Sequence, residues 1–366
     1  ILRRAAGEFF TGPNGWIIEK IRHVEGSGKP DVIMDAEVTF AGNRISANLT
    51  ILPLVSTAGQ KLGSMLVIDD ITSEKRMKST MSRYMDPGLA DQILEGGDEI
   101  LGGKSTAATV LFSDIRGFTT LTEELGAQGT VSLLNEYFTI MVDCIQKEGG
   151  MLDKFIGDAI MAAFGVPIPH EDDEDRAVRA AIGMIRALHI WNRQRVAEGK
   201  KPVGMGIGLN TDTIVSGNIG SPKRMDYTLI GDGVNLASRL ESLCKQYHAS
   251  ILISENTVRR LKGTYRIREV DRVQVKGKTE SVGVCEVLDY HTEESYPNLM
   301  DVVNHFRDGL TLYRRREWEK AISRFNEALR LNPDENLCGM YIERCILFRD
   351  EPPGDDWDGG WIMKTK

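Results

Sequence analysis

The chain has 366 residues, a length that predicts two or three domains. Apolar residues make up 41% of it, so the composition is that of a globular protein and excludes a disordered chain. The net charge of −8 provides no basic field for a phosphate backbone, so we expect no nucleic-acid partner.

Cysteine usage and hydropathy predict the cellular setting. The five cysteines are odd in number and form no C-x-x-C pair, which argues against a disulfide framework or a zinc site and favours the reducing cytoplasm. No apolar run reaches the ~18 residues of a membrane helix, so no membrane span is expected. No signal peptide opens the sequence, and because residue 1 is isoleucine we expect it to be part of a longer protein.

Residues 1–72 are expected to form a small antiparallel sheet. Alternating apolar and polar residues at 31–40, 44–55 and 61–71 predict three strands joined by hairpins. The segment resembles the C-terminal half of a PAS sensor domain, because the third strand closes in Asp70-Ile71-Thr72 directly before a charged helical stretch. The alternative is any other small antiparallel sheet.

Residues 73–103 have a helical composition with a break at Asp86-Pro87-Gly88, and they are interpreted as a linker. Such a helix either carries a signal between the two flanking domains or serves as a plain spacer. The sequence favours neither alternative.

Residues 104–290 alternate between strand and helix signals, and their order β-α-β-β-α-β predicts an α+β, ferredoxin-like fold with a C-terminal extension. Gly157-Asp158 predicts a tight hairpin between strands at 151–156 and 159–164. The acidic run 171–175 is expected to open a long helix and to be a solvated face. Two strands at 203–210 and 213–219 are expected, with a hairpin turn at Asn210-Thr211-Asp212.

Residues 299–348 are predicted to be helical and resemble a tetratricopeptide repeat through the spacing of Gly309, Ala321, Phe325, Ala328 and Pro333. One repeat and a fraction are fewer than the three that a free-standing solenoid needs. We therefore expect a helical hairpin that packs on another domain or on a second subunit. The tail at 349–366 contains two tryptophans. It is expected to have no regular secondary structure and to pack on the rest of the protein.

Two aspartates stand in motifs that suit metal-assisted phosphate chemistry. Asp114 lies at a strand end within the motif at 112–119, and Asp158 lies at the predicted hairpin tip. Their strands are expected to be neighbours, so both carboxylates can share divalent cations that stabilise attacking and leaving oxygens. The turn at Gly117 exposes backbone N–H groups to a phosphate. A lone aspartate at either position would more simply cap a turn.

A third motif spans residues 226–240, where a strand ends at Gly231 and a helix follows. Asn235 and Arg239 are four residues apart, so they project from one face of that helix. An amide and a guanidinium on one face suit a ribose oxygen and a phosphate.

The three motifs resemble those of class III nucleotidyl cyclases in residue identity, order and spacing. Residues 104–290 most closely resemble the cyanobacterial and soluble-type adenylyl cyclases, and the sequence of PAS-like sheet, cyclase and tetratricopeptide-like tail is similar to cyanobacterial sensor cyclases. The resemblance implies conversion of ATP to 3′,5′-cyclic AMP and pyrophosphate by attack of the ribose 3′-oxygen on the α-phosphate. It also implies regulation by the N-terminal sensor.

The resemblance assigns roles to individual positions. Two Mg²⁺ or Mn²⁺ ions per active site would be held by Asp114, Asp158 and the carbonyl of Ile115. Lys154 and Thr228 would read the purine, Asn235 would orient the ribose, and Arg239 would stabilise charge on the α-phosphate. The remaining phosphate contacts would come from Gly117, Phe118, Thr119 and Lys276.

Substrate and assembly follow from the same resemblance. Guanylyl cyclases have Glu and Cys at the positions of Lys154 and Thr228, and a lysine donor suits adenine N1, so ATP is the expected substrate. Family members take the metal aspartates from one subunit and the other residues from its partner, so a homodimer with two shared sites is expected. The alternatives are a guanylyl cyclase and a catalytically inactive scaffold, which the complete residue set disfavours. Gly204 stands where some members have a further phosphate-binding arginine.

Overall fold

The computed structural model describes residues 5–40, 42–57, 60–73, 75, 103–221, 224–274, 281–354, 357 and 359–360. The chain forms two compact units, Ile1–Leu94 and Glu95–Lys366. Most of the predicted linker at 73–103, with its break at Asp86-Pro87-Gly88, lies outside the described residues. Among the helices of the described part, none combines the length and the apolar character needed to cross a membrane.

The first unit is a three-stranded sheet covered by a helix. Its helices are α1 (Ala6–Phe9) and α2 (Gly15–Ser27), and its strands are β1 (Asp31–Phe40), β2 (Asn43–Val55) and β3 (Lys61–Asp70). The strands pair antiparallel in the order β1-β2-β3, which confirms the predicted sheet. Ile17 of α2 packs on Val38, Ala47 and Leu49 of β1 and β2, so the apolar face of α2 closes this small core.

The second unit is built on an eight-stranded mixed sheet. Seven strands lie in the order β10-β11-β9-β7-β4-β6-β5, and β8 pairs with β7 alongside that path. Neighbours are antiparallel except β7 and β9, which are parallel. The strands are β4 (Lys104–Arg116), β5 (Met151–Ile156), β6 (Ala159–Phe164), β7 (Gly204–Ser221), β8 (Arg224–Ile230), β9 (Ile251–Ser254), β10 (Ile267–Gln274) and β11 (Ser281–Val287).

Helices cover both faces of this sheet. They are α3 (Phe118–Lys147, interrupted at Gly126), α4 (Asp173–Ala197), α5 (Asp232–Gln246), α6 (Glu255–Val258), α7 (Leu299–Arg314), α8 (Trp318–Leu331) and α9 (Asn336–Asp350). Ile207 and Leu209 of β7 share a core with α3 and α4. Gly208 between them faces α5, where an added Cβ would lie 2.2 Å from the backbone nitrogen of Glu241. Glycine at this position therefore sets how closely α5 approaches the sheet.

The hairpin predicted at Asn210-Thr211-Asp212 is wrong, because β7 is one continuous strand. Its pairing with β4 runs without a shift from Arg116↔Gly204 to Lys104↔Ser216. The polar residues that suggested a turn have internal partners instead. The Asn210 amide donates to the carbonyl of Gly233 at 2.9 Å, and the Thr211 hydroxyl lies 2.8 Å from that of Thr109.

The expectation that the acidic run at 171–175 is a solvated face is also wrong in part. The run does precede and open α4, but Asp173 and Asp175 are buried. The Asp175 carboxylate accepts hydrogen bonds from the backbone N–H groups of Lys262 and Gly263 at 2.9 and 2.7 Å and from the Tyr265 hydroxyl at 3.0 Å. It fastens the loop before β10 to the start of α4.

The C-terminal segment forms three helices, α7, α8 and α9, and not the predicted hairpin, and these helices share a core with the sheet unit, which is the expected packing on another domain. Side chains of α7, α8 and α9 pack in one cluster with Leu236 and Leu240 of α5. Gly309 allows α7 to approach α8, because a Cβ there would lie 2.6 Å from the Phe325 ring. In the tail that follows, Trp357 packs edge-on against Tyr313, with ring centroids 5.3 Å apart.

A buried ion pair joins α9 to β10. Arg344 contacts the Asp271 carboxylate at 2.7 Å, and both side chains are almost completely buried. Replacing Arg344 with Met leaves the Asp271 charge uncompensated in the core, so we expect the free energy of unfolding to fall by about 3–5 kcal/mol. The midpoint of urea denaturation, followed by tryptophan fluorescence, measures this loss. Arg349→Met removes an exposed pair on the same helix and should leave the midpoint unchanged.

Candidate active site

The end of β4 and the turn into α3 present Asp114. The residue is half-buried, and its Oδ1 accepts a hydrogen bond from the Ile115 N–H at 3.0 Å. Gly117 follows with φ of 69°, a left-handed conformation that glycine adopts without strain. The first hydrogen bond of α3 runs from the Leu121 N–H to the Gly117 carbonyl. Phe118 and Thr119 therefore stand at the helix start, where backbone N–H groups have no intrahelical acceptor.

The hairpin between β5 and β6 brings Asp158 to Asp114. Ile156 and Ala159 pair directly, so Gly157 and Asp158 form the two-residue turn that the sequence predicted. The two carboxyl groups are within hydrogen-bonding reach, and burial together with Asp114 raises the pKa of Asp158 to about 6. Asp158 Oδ2 is buried and has no hydrogen-bond partner among the described residues. Two adjacent carboxylates with an unsatisfied oxygen form an oxygen donor set that suits a hard divalent cation.

Glu241 lies near the Asp114–Asp158 pair, and no sequence motif identified it. It lies on α5, and burial followed by the nearby charge of Asp114 raises its pKa to about 7. An added Cβ on Gly206 of β7 would lie 2.9 Å from its Oε1, so the side chain fills the space that this glycine leaves. The position follows from how α5 packs on β7, and sequence spacing alone contains no signal for it.

A second group of polar side chains contains Lys154 of β5 and Thr228 of β8. The residue between them is Asp153, whose side chain is 0% exposed. The Thr228 hydroxyl donates to Asp153 Oδ2 at 3.1 Å, and the Lys154 ammonium lies 3.5 Å from the same oxygen. Both predicted purine-reading residues therefore meet on one buried carboxylate. No sequence motif assigned a role to Asp153.

Asn235 and Arg239 lie one turn apart on α5, and both are exposed. Nearby strands also expose apolar side chains, among them Phe155 and Ile156 of β5 and Met225 and Ile230 of β8. An exposed apolar patch of this kind is typical of an interaction surface. Lys276 lies outside the described residues, so the structure gives no position for it.

Comparison with known families decides the classification. The family model for the adenylate and guanylate cyclase catalytic domain matches residues 103–287, about half of the chain. The chain belongs to this cyclase family. The match covers β4 to β11 and includes both aspartates, Lys154, Thr228, Asn235 and Arg239. The fold is accordingly the α+β cyclase fold, with a mixed sheet and helices, and a separate three-stranded antiparallel sheet lies in the first unit.

Two relatives within the cyclase family are curated as adenylate cyclases. The terminal-differentiation specific adenylate cyclase of Dictyostelium discoideum is 39% identical over 245 residues, which are 65% of this chain and 11% of that protein. The adenylate cyclase of Anabaena cylindrica is 40% identical over 196 residues, which are 52% of this chain and 38% of that protein. The chain thus spans much less than half the length of either relative.

Solved structures agree with this assignment. A bacterial light-regulated adenylyl cyclase superposes with a TM-score of 0.54 at 28% sequence identity. The superposition covers 63% of this chain and 65% of that chain. This superposition supports the cyclase fold.

Proposed function

We propose that this protein is an adenylyl cyclase that converts ATP to 3′,5′-cyclic AMP and pyrophosphate. The observation that carries the proposal is the adjacent carboxyl pair Asp114–Asp158, whose members stand in two separate motifs of a cyclase-family domain. In the reaction the ribose 3′-oxygen bonds to the α-phosphorus while the bond from that phosphorus to the pyrophosphate oxygen breaks. The 3′-hydroxyl proton and pyrophosphate are released.

Asp114, Asp158 and the Ile115 carbonyl would hold Mg²⁺ or Mn²⁺. The fit is supported by the unsatisfied Asp158 Oδ2 and by an oxygen-only donor set, which is what these cations prefer. When bound, the cations supply charge neutralisation at the phosphates. The backbone N–H groups at Gly117, Phe118 and Thr119 are proposed to orient the phosphate chain, and Lys276 is proposed to contact its outer phosphates.

Lys154 and Thr228 are proposed to select adenine. Lys154 would donate to adenine N1, whereas guanine carries a hydrogen at N1 and would favour an acceptor. Support comes from their shared position beside Asp153, which holds both polar groups at one point of the β5–β8 surface. GTP is therefore expected to be a poor substrate.

Asn235 is proposed to orient the ribose and Arg239 to stabilise charge that develops on the α-phosphate. We further propose that these residues act on the metal site of a partner subunit, in a homodimer with two active sites. Their exposure on α5, together with the apolar patch on β5 and β8, supports this arrangement.

The domain arrangement is also a proposal. The strand order β7-β4-β6-β5 supports a ferredoxin-like core within the catalytic domain at 104–290. The sheet at 1–72 is proposed to be a PAS-like sensor that regulates the cyclase through a linker at 73–103. The helices at 299–348 are proposed to be tetratricopeptide-like, followed by the tail at 349–366, and the cytoplasm is the proposed location.

The test is product formation by the purified chain, given ATP or GTP separately with Mg²⁺ and then Mn²⁺. Cyclic AMP from ATP, with little cyclic GMP from GTP, is the expected result. A folded dimer that turns over neither nucleotide under any of these conditions would contradict the proposal and favour an inactive scaffold.

Metal binding should depend on pH, because a cation at Asp158 must displace a proton when that carboxyl is protonated. With a pKa of about 6, the apparent Mg²⁺ affinity is expected to fall by up to about ten-fold per pH unit below pH 6 and to change little above it. Calorimetric titration of Mg²⁺ at pH 5, 6 and 7.5 measures this. An affinity that stays constant across the range would remove Asp158 from the metal site.

A further inference from the structure

Asp153 is placed beside the two purine-reading residues by a local irregularity of β5. Leu152 pairs with Ala162 and Lys154 pairs with Met161, so Asp153 is an extra residue in a β-bulge. A bulge re-aims a side chain that strict alternation would send to the opposite face. As a result the Asp153 carboxylate is fully buried and meets the Thr228 hydroxyl of another strand.

The chemistry of the two groups determines which of them donates the hydrogen bond between Thr228 and Asp153. An ionised carboxylate only accepts hydrogen bonds, whereas a threonine hydroxyl can donate one and accept two. The Thr228 proton therefore points to Asp153 Oδ2, and the Thr228 oxygen presents lone pairs alone to anything else that approaches. Lys154, 3.5 Å from the same carboxylate oxygen, favours its ionised form.

We propose that Asp153 is a positioning residue for substrate selection, which makes Thr228 an obligatory hydrogen-bond acceptor for the exocyclic amino group of adenine. The inference rests on the proposed function and adds to it a residue that acts through Thr228. Adenine presents an N–H donor at this point. Guanine and hypoxanthine present the O6 acceptor, which would face the lone pairs of Thr228 and be rejected.

Further observations support this role over a purely structural one. Asp153 Oδ1 is buried with no hydrogen-bond partner among the described residues, although a carboxylate that served only to fasten β5 to β8 would be expected to use both oxygens. Burial also raises the pKa of Asp153. Ionising this carboxyl in the folded protein therefore costs free energy, which the contacts with Lys154 and Thr228 only partly offset.

The test compares three substrates on wild-type chain and on Asp153→Ala. Purine riboside 5′-triphosphate lacks the 6-amino group of ATP, and inosine 5′-triphosphate replaces that group with O6. Asp153→Ala removes the acceptor of the Thr228 proton, so the Thr228 hydroxyl is free to turn and donate to the purine. We expect kcat/KM for ATP to fall about ten-fold, kcat/KM for the 6-unsubstituted nucleotide to stay within about two-fold, and kcat/KM for inosine triphosphate to rise.

A merely structural role would lower all three values together, and that result would overturn the inference. Thr228→Val is the matched control, because it should remove the dependence on the 6-amino group whether or not Asp153 is also replaced. Asp153→Leu, which fills more of the space and also has no hydrogen-bond acceptor, gives the same prediction if the alanine variant does not fold. If wild-type chain forms no cyclic AMP from ATP, the proposed function itself fails. If it does, and both Asp153 variants keep the 6-amino dependence, only the inference fails.

Discussion

Asp158→Asn is expected to reduce cyclic AMP formation by about three orders of magnitude while making the metal-free protein more stable. The loss of activity follows because the substitution removes a charged oxygen ligand, and a divalent cation contributes several kcal/mol to phosphoryl chemistry. Activity with saturating ATP and Mg²⁺ measures the first effect.

The gain in stability follows from the raised pKa of Asp158. A carboxyl whose pKa is higher in the folded state than in the unfolded state contributes stability at low pH that is lost as pH rises to about 6. The neutral amide removes this unfavourable ionisation beside Asp114. The thermal midpoint in EDTA at pH 7 should therefore rise by roughly 2–4 °C, and Mg²⁺ should no longer raise it further.

Asp143→Asn is the matched control for both readouts, because Asp143 is an exposed carboxylate on α3. It should leave turnover and the thermal midpoint unchanged. Retention of substantial activity by Asp158→Asn would contradict the assignment of Asp158 to the metal site.

A mixture of two inactive variants is expected to regain activity. Asp114→Ala destroys the metal set of its own chain and Arg239→Ala destroys the phosphate-stabilising set, so neither variant alone forms a complete site. In a mixed dimer one of the two sites combines the intact metal set of one chain with the intact Arg239 of the other. With random exchange at equal concentrations, about a quarter of wild-type activity should return.

The control mixture is Asp114→Ala with Asp158→Ala. Both substitutions fall in the metal set, so no pairing of these chains restores a complete site and the mixture should remain inactive. Mixed dimers are verified by co-purification through two different affinity tags. If mixed dimers of Asp114→Ala and Arg239→Ala form but remain inactive, the shared-site arrangement is wrong.

Local sequence signals predicted the elements in which each residue's partner is close along the chain. The alternation in β1 to β3 and the Gly157-Asp158 turn were sufficient for correct strands and a correct hairpin. The motifs also predicted that Asp114 and Asp158 lie close together, and the structure brings their carboxyl groups within hydrogen-bonding reach.

Long-range partners could not be predicted. Asn210, Thr211 and Asp212 have the composition of a turn, yet they continue β7, where the first two of them form hydrogen bonds with Gly233, Thr109 and Thr257. Asp175 has the composition of a solvated helix start but binds a loop almost ninety residues later. Both outcomes depend on tertiary contacts that override local preference.

The parts of the site that sequence reasoning missed depend on packing and on a bulge. Glu241 lies near enough to Asp114 for the charge of Asp114 to raise its pKa, because glycines of β7 let α5 approach the sheet. Asp153 reaches Thr228 because β5 gains one residue relative to β6. A period-two pattern contains no signal for such an insertion, so the residue next to Lys154 was assigned no function.

The most direct test of the account gives the purified chain equal concentrations of ATP and GTP in one reaction with Mg²⁺ and follows both cyclic products by chromatography. Because the substrates compete, the ratio of products gives the ratio of their kcat/KM values directly. The account predicts cyclic AMP in large excess over cyclic GMP, together with one pyrophosphate per cyclic nucleotide. Equal amounts of the two products, or an excess of cyclic GMP, would contradict the assignment of Lys154 and Thr228 as an adenine-selecting pair.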